Sequence, residues 1–165
     1  GGVLSGRGGA RAPMDETAHA GDPYDLARFV TAQRDVYPIA LAELQAGCKR
    51  SHWMWFVFPQ VEGLGSSWMA QRYAIASAAE AEAYLRHPVL GPRLVKCADA
   101  VLAVAGRSAH EILVSPDDLK LRSSATLFAS VSPPGSVFER LLDKYFAGEH
   151  DDATLRWIGR GPASG

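Results

Sequence analysis

Apolar residues recur along this chain at three- and four-residue steps, and almost nowhere do they alternate. Leu26, Phe29, Val30, Val36, Tyr37, Ala40, Leu41 and Leu44 form one such stripe. Leu90, Leu94, Cys97, Val101 and Val104 form another, and Val137, Leu141, Leu142 and Tyr145 a third. That spacing returns one side chain after another to a single face of a helix. The only run with strand character, Phe56-Val57-Phe58, is too short to seed a sheet. The chain is therefore expected to be all-α, a single multihelical domain of about seven helices with one aromatic-rich irregular loop.

Punctuation supports this reading. Asp22-Pro23 opens the first stripe, since Asp caps a helix well and Pro is tolerated at its first position. Pro38 lies inside the stripe and predicts a break with a fresh start near Asp35, and Gly47 ends it. Ser77 with Glu80, and Ser108 with Glu111, have the spacing of capping boxes. Ser115-Pro116-Asp117-Asp118 predicts a further start, with acids in the first turn complementing the helix dipole. Pro133-Pro134-Gly135 is a turn, and Asp151-Asp152 opens a last short helix. These signals give a leader over residues 1–21, a helical domain over 22–158 and a tail over 159–165.

The 165 residues hold 17 Lys and Arg against 18 Asp and Glu, a net charge of -1. No general nucleic-acid surface is expected from such a balance, because phosphate binding needs a clear cationic excess. No run approaches the ~18 apolar residues of a membrane helix. The first 21 residues lack the apolar centre of a secretory signal, so the cytoplasm is the expected compartment. Cys48 and Cys97 do not make a Cys-x-x-Cys pair, and no metal and no cofactor are expected. Both cysteines read as small hydrophobic residues, Cys48 keeping a reactive alternative because Lys49 and Arg50 follow it.

Chemistry concentrates in residues 49–68. Lys49 and Arg50 can hold phosphate or carboxylate. His52 is an imidazole suited to acid/base work near neutrality. Trp53, Trp55, Phe56 and Phe58 can offer a flat stacking surface, with Gln60 to orient a ligand. Gly63-Leu64-Gly65 lets backbone approach a ligand closely, and Ser66 or Ser67 starts a helix. Aromatics of this kind also plug helical cores, and a lone Gly-x-Gly lacks the rest of a dinucleotide fingerprint. A second cluster, Lys120 with Ser123 and Ser124, shares one helix face and reads either as a solvated stripe or as the wall of a polar cleft.

These residues carry a family resemblance. Lys49 through Gln60, Gly63-Leu64-Gly65, Ala70 through Ile75, Glu80-Ala81, Tyr84-Leu85, His87 through Leu94, Asp117 through Lys120 and Arg122-Ser123-Ser124 together resemble the bacterial domain-of-unknown-function family eighteen-ten. Some of its members carry a calpastatin label. The resemblance spans residues 22–158, and His52-Trp53-Met54-Trp55-Phe56 is its most specific part. It implies a multihelical fold. It is also similar, distantly, to the NADAR group, helical proteins tied to ADP-ribose metabolism. The NADAR Trp-Pro-Thr-x-Glu-His pattern is not seen here, so no catalytic residue carries over from that group. Ala125 departs from the family pattern, where a Met is expected.

The expectation is thus a pocket protein whose partner is a small nucleotide-like ligand, an ADP-ribose derivative, with hydrolysis of an N-glycosidic bond. Lys49, Arg50 and Lys120 would hold charge; Trp53, Trp55 and Phe58 would stack. Gln60, Gly63, Gly65, Ser66, Ser123 and Ser124 would complete the binding set. Cleavage at an anomeric carbon passes through an oxocarbenium-like state and needs a carboxylate or base, so His52 and Glu62 are the catalytic candidates. The alternative is a non-enzymatic interaction module that docks a protein through the aromatic loop.

Overall fold

The structure, a computed structural model, describes residues 21–159. The expected leader and tail lie almost wholly outside the described residues. Among these, ten helices form, rather than about seven: α1 (Ala27–Gln33), α2 (Tyr37–Gln45), α3 (Met54–Val57), α4 (Trp68–Arg72), α5 (Ala78–Arg86), α6 (Leu90–Ala103), α7 (Ala109–Leu113), α8 (Asp117–Ser130), α9 (Val137–Phe146) and α10 (Asp152–Gly159). The difference has a local cause. The first stripe splits into α1 and α2 as the Pro38 break predicts, with that residue in the first turn of α2. The stretch read as irregular contains α3, one turn too short to show a period.

Side chains hold the starts of at least half of these helices. Asp22 accepts from the amides of Leu26 and Ala27 at 2.8 and 2.9 Å. Ser67, Ser77, Ser108 and Ser136 are the N-caps of α4, α5, α7 and α9, each hydroxyl accepting from the amide three residues on, and Ser108 with Glu111 makes a complete capping box. Gly47 ends α2 with φ 74, a conformation open to glycine at no steric cost. The end of α6 is closed from outside. Lys144 of α9 donates to the carbonyls of Leu102 and Val104, both at 2.6 Å, satisfying orphan acceptors of the last turn.

α6 lies against α2, α5 and α9, while α8 packs on α9, α7, α10 and α5. Their buried faces meet in one hydrophobic cluster. Cys97 is part of it, and burial pushes its thiol up to about 12, with Arg93 partly opposing. It behaves as a small core residue. No strand forms among the described residues; a single parallel bridge joins Val61 to Ile75. No helix among them is long and apolar enough to cross a membrane.

Gly91 sets how closely α6 follows α5. A Cβ added there would overlap the carbonyl oxygen of Leu85, which is fixed backbone. Gly91→Ala is expected to lower stability by about 2 kcal/mol, the usual scale of overpacking. A urea denaturation midpoint unchanged by the substitution would show that the two helices can separate freely.

Candidate functional site

The site begins with Glu43 on α2. Its Oε1 accepts from the Arg50 amide at 2.9 Å, the Ser51 amide at 3.1 Å and the Trp53 indole at 2.8 Å. Its Oε2 accepts from the Ser51 hydroxyl at 2.6 Å. Burial alone would push this carboxyl up, but the bonds from Ser51, Arg50 and Trp53 override that and bring it down to about 2. One ionised carboxylate therefore shapes the start of the aromatic loop. It draws Trp53 inward, and the single turn of α3 that follows leaves Trp55 half-buried at the surface.

The next wall is a loop closed at its base. The Ile75 amide donates to the Gln60 carbonyl at 2.8 Å, and the Glu62 amide to the Ile75 carbonyl at 3.0 Å. Between these ties, residues 62–74 project as a flap of the kind formed by compact surface loops whose ends meet. Ser67 caps α4 within it, and Gln71 donates back to the Ser66 carbonyl at 3.0 Å. Gly65 is required by the flap's own packing, since a Cβ there would stand 2.7 Å from that of Ala70.

The third wall is the start of α8. Val114 takes φ 64, rare for a β-branched residue, and turns the chain so that Ser115 and Pro116 edge the site. Asp117 then bridges two lysines, 2.9 Å from Lys49 Nζ and 3.7 Å from Lys120 Nζ. Lys120 Nζ also lies 5.1 Å from the centre of the Trp55 ring, a cation–π distance.

Two clefts result, each about 460 Å³, and they share Trp55, Pro116 and Lys120. One is rich in hydroxyls, with Ser66, Ser67 and Ser123 beside Gln60 and Asp151. The other is basic, with Lys49, Arg50 and His52 in its wall. The loop at residues 49–67 and the polar stripe of α8 thus meet in one two-lobed site. Lobes of this size fall in the range of small-molecule pockets.

Several expected site residues are buried, lie away from both lobes, or reach a lobe already engaged. Trp53 and Phe58 are 0% and 2% exposed, so the broad stacking surface reduces to Trp55. Ser124 is buried and its Oγ finds no partner among the described residues, while Ser123, also buried with its hydroxyl donating to the Leu119 carbonyl at 3.2 Å, lines the hydroxyl-rich lobe. Gly63, with φ 88 and open space around it, makes a turn and lines neither lobe. Glu62 is exposed and also lines neither lobe. Lys49 is tied to Asp117 and to the Ser51 carbonyl at 2.6 Å, and it stacks 4.9 Å from the Trp53 ring. Those that line a lobe are Lys49, Arg50 and His52 in the basic one, Gln60, Gly65, Ser66 and Ser123 in the other, and Trp55 and Lys120 between them.

Two acids outside the expected binding set shape the site. Glu43 lies on α2, seven residues before the Arg50 amide it holds. Asp151 is the acid that lines the hydroxyl-rich lobe; its Oδ2 caps Thr154 at 3.0 Å and its Oδ1 is 3.9 Å from Arg122 Nη2. Its only sequence signal was a capping position.

A family profile described as "Protein of unknown function (DUF1810)" matches residues 23–158. Among solved structures, the chain is similar to the conserved hypothetical protein Rv1873 from Mycobacterium tuberculosis at 54% sequence identity and a TM-score of 0.82. That match covers 84% of this chain and 99% of the other. No curated protein matches.

Proposed function

Given that the chain belongs to the DUF1810 family of proteins of unknown function, we propose that it binds a nucleotide-like ligand, an ADP-ribose derivative, in the two-lobed site. The observation that carries this reading is the junction of the lobes, where Lys120 stands over the one partly exposed aromatic ring of the loop. A planar base has Trp55 to stack on, a charged group has Lys120, and sugar hydroxyls have Ser66, Ser123, Gln60 and Asp151. For hydrolysis of an N-glycosidic bond, the carboxylate on this reading is Asp151, in place of Glu62, because an oxocarbenium-like state must form within reach of it.

Calorimetric titration with ADP-ribose, NAD and nucleosides tests the proposal. Heat of binding is expected with ADP-ribose, and Lys120→Ala should weaken it about tenfold, the scale of one charge-assisted contact. Absence of heat with every member of the series would overturn it.

The protein-docking reading keeps one observation in its favour: Trp68, on α4 beside the hydroxyl-rich lobe, is 70% exposed. Trp is a frequent anchor at interfaces. Trp68→Ala separates the two readings. Loss of a captured partner with ADP-ribose binding intact supports docking, and a variant with no effect on capture removes it. Replacing Trp53 serves neither purpose, since that ring is buried.

A further inference from the structure

We infer that the basic lobe is a phosphate subsite with Arg50 as its principal contact, and that it fixes the direction in which the ligand lies. The inference rests on the binding reading above and adds an orientation to it: phosphate toward Arg50, sugar toward Ser123 and Asp151.

The lobes differ in charge more than in size. The basic lobe is lined by three permanent cations, Lys49, Arg50 and Lys120, against one carboxylate, Asp117. That local excess sits in a chain whose net charge is -1. Asp117 is engaged by Lys49 at 2.9 Å and Lys120 at 3.7 Å, so it is shared rather than free to oppose an incoming anion. The other lobe has one lining cation, Lys120, and one lining carboxylate, Asp151, which also lies 3.9 Å from Arg122, so a phosphate placed there would meet no cationic excess. Like charge at close range disfavours that arrangement, so the anionic part of the ligand belongs in the basic lobe.

The cations are not equivalent. Lys49 is spent on structure, with its side chain 8% exposed and its ammonium held by Asp117 and the Ser51 carbonyl. Arg50 is the opposite case. Its backbone amide is fixed by Glu43, yet its side chain is exposed and makes no hydrogen bond or ion pair among the described residues. A guanidinium held at its base and free at its fork can take a phosphate in bidentate fashion. Met54, Trp55, Leu113 and Pro116 supply the apolar part of the wall beside it. The α8 start adds nothing to this, since the amides of Asp118, Leu119 and Lys120 already donate to the carbonyls of Val114 and Pro116.

The test is a calorimetric series on the full chain and on Arg50→Ala, with inorganic pyrophosphate, adenosine, AMP and ADP as titrants. Pyrophosphate is expected to bind, and affinity to rise from adenosine through AMP to ADP. Arg50→Ala should weaken pyrophosphate and ADP about tenfold or more and move adenosine far less. Its melting transition should match that of the parent, which excludes loss of fold as the cause. Equal affinity for adenosine and ADP, or a ladder that survives in Arg50→Ala, overturns the subsite while leaving the binding reading in place. Pyrophosphate binding that needs Arg50, with no nucleoside or nucleotide bound, upholds the subsite and removes the nucleotide reading. No heat with any titrant overturns both.

Discussion

Arg28→Ala is expected to lower the unfolding free energy by about 4 kcal/mol, the range found when one partner of a buried ion pair is removed. A guanidinium carries five N–H donors, and here each has an acceptor. Nε donates to the Arg72 carbonyl at 2.8 Å; Nη1 donates to the Tyr24 and Asp25 carbonyls at 2.7 and 2.9 Å. Nη2 donates to the Ala74 carbonyl at 2.8 Å and to Glu80 Oε2 at 2.9 Å. The two side chains are 9% and 5% exposed. Truncation strands the Glu80 carboxylate in the interior with only the Ala76 amide and its helix cap for company. It also releases Arg72 and Ala74, which close the flap that walls the hydroxyl-rich lobe. Arg28→Lys keeps the charge but not the fork, so it should lose part of the stability and weaken ligand binding through the flap. The loss should appear as a lower urea midpoint with an unchanged slope. Adding Glu80→Gln to Arg28→Ala should restore part of it, since the uncompensated charge is then gone. A loss below about 1 kcal/mol would mean that water replaces the guanidinium and that the clamp is not structural.

The contrast between what the sequence announced and what it concealed follows from range. Helix starts are local, and Ser77, Ser108 and Pro38 act within four residues of themselves, so they could be read directly. The stripes of α6 and α9 repeat over several turns and gave their buried faces away. α3 is four residues long, and a period cannot be recognised within one turn; α4, five residues long, was announced by its cap at Ser67 rather than by a period. Composition placed the site in the aromatic loop, and Trp55, Arg50 and Lys120 do meet there. Which aromatics turn inward was not written in the loop itself. Trp53 is drawn in by Glu43, ten residues earlier, and Arg28 meets Glu80 across 52 residues. Asp151 reaches the cleft because α10 packs on α8, a contact between helices that no spacing within either one encodes. Local chemistry was legible; the carboxylates that position it from a distance were not.

Glu43→Gln is expected to destabilise the chain by about 3 kcal/mol at neutral pH and to do so less in acid. The carboxylate accepts four hydrogen bonds from three residues, and an amide offers one oxygen where two are needed. Its NH2 group would face the Ser51 hydroxyl or the Trp53 indole, and the indole lies in the core with no water to replace its partner. Bonds to a charged acceptor are each worth roughly 1.5–3 kcal/mol, but Glu43 is only half-buried, so the four do not sum. The pH dependence gives the sharper test. The folded carboxyl sits at about 2 against an ordinary 4.5, and a depressed folded value contributes stability that is present above 4.5 and lost as pH falls toward 2. Unfolding curves for parent and variant should therefore converge through that window as Glu43 takes up a proton in the parent. A gap that stays constant down to pH 2 would assign the effect to shape alone. Because the same carboxylate fixes the Arg50 amide, the variant should also weaken pyrophosphate binding at neutral pH, although no atom of Glu43 lines the basic lobe. Stability and anion affinity then fall together from one substitution on α2, which ties the position of the cationic fork to the fold beneath it.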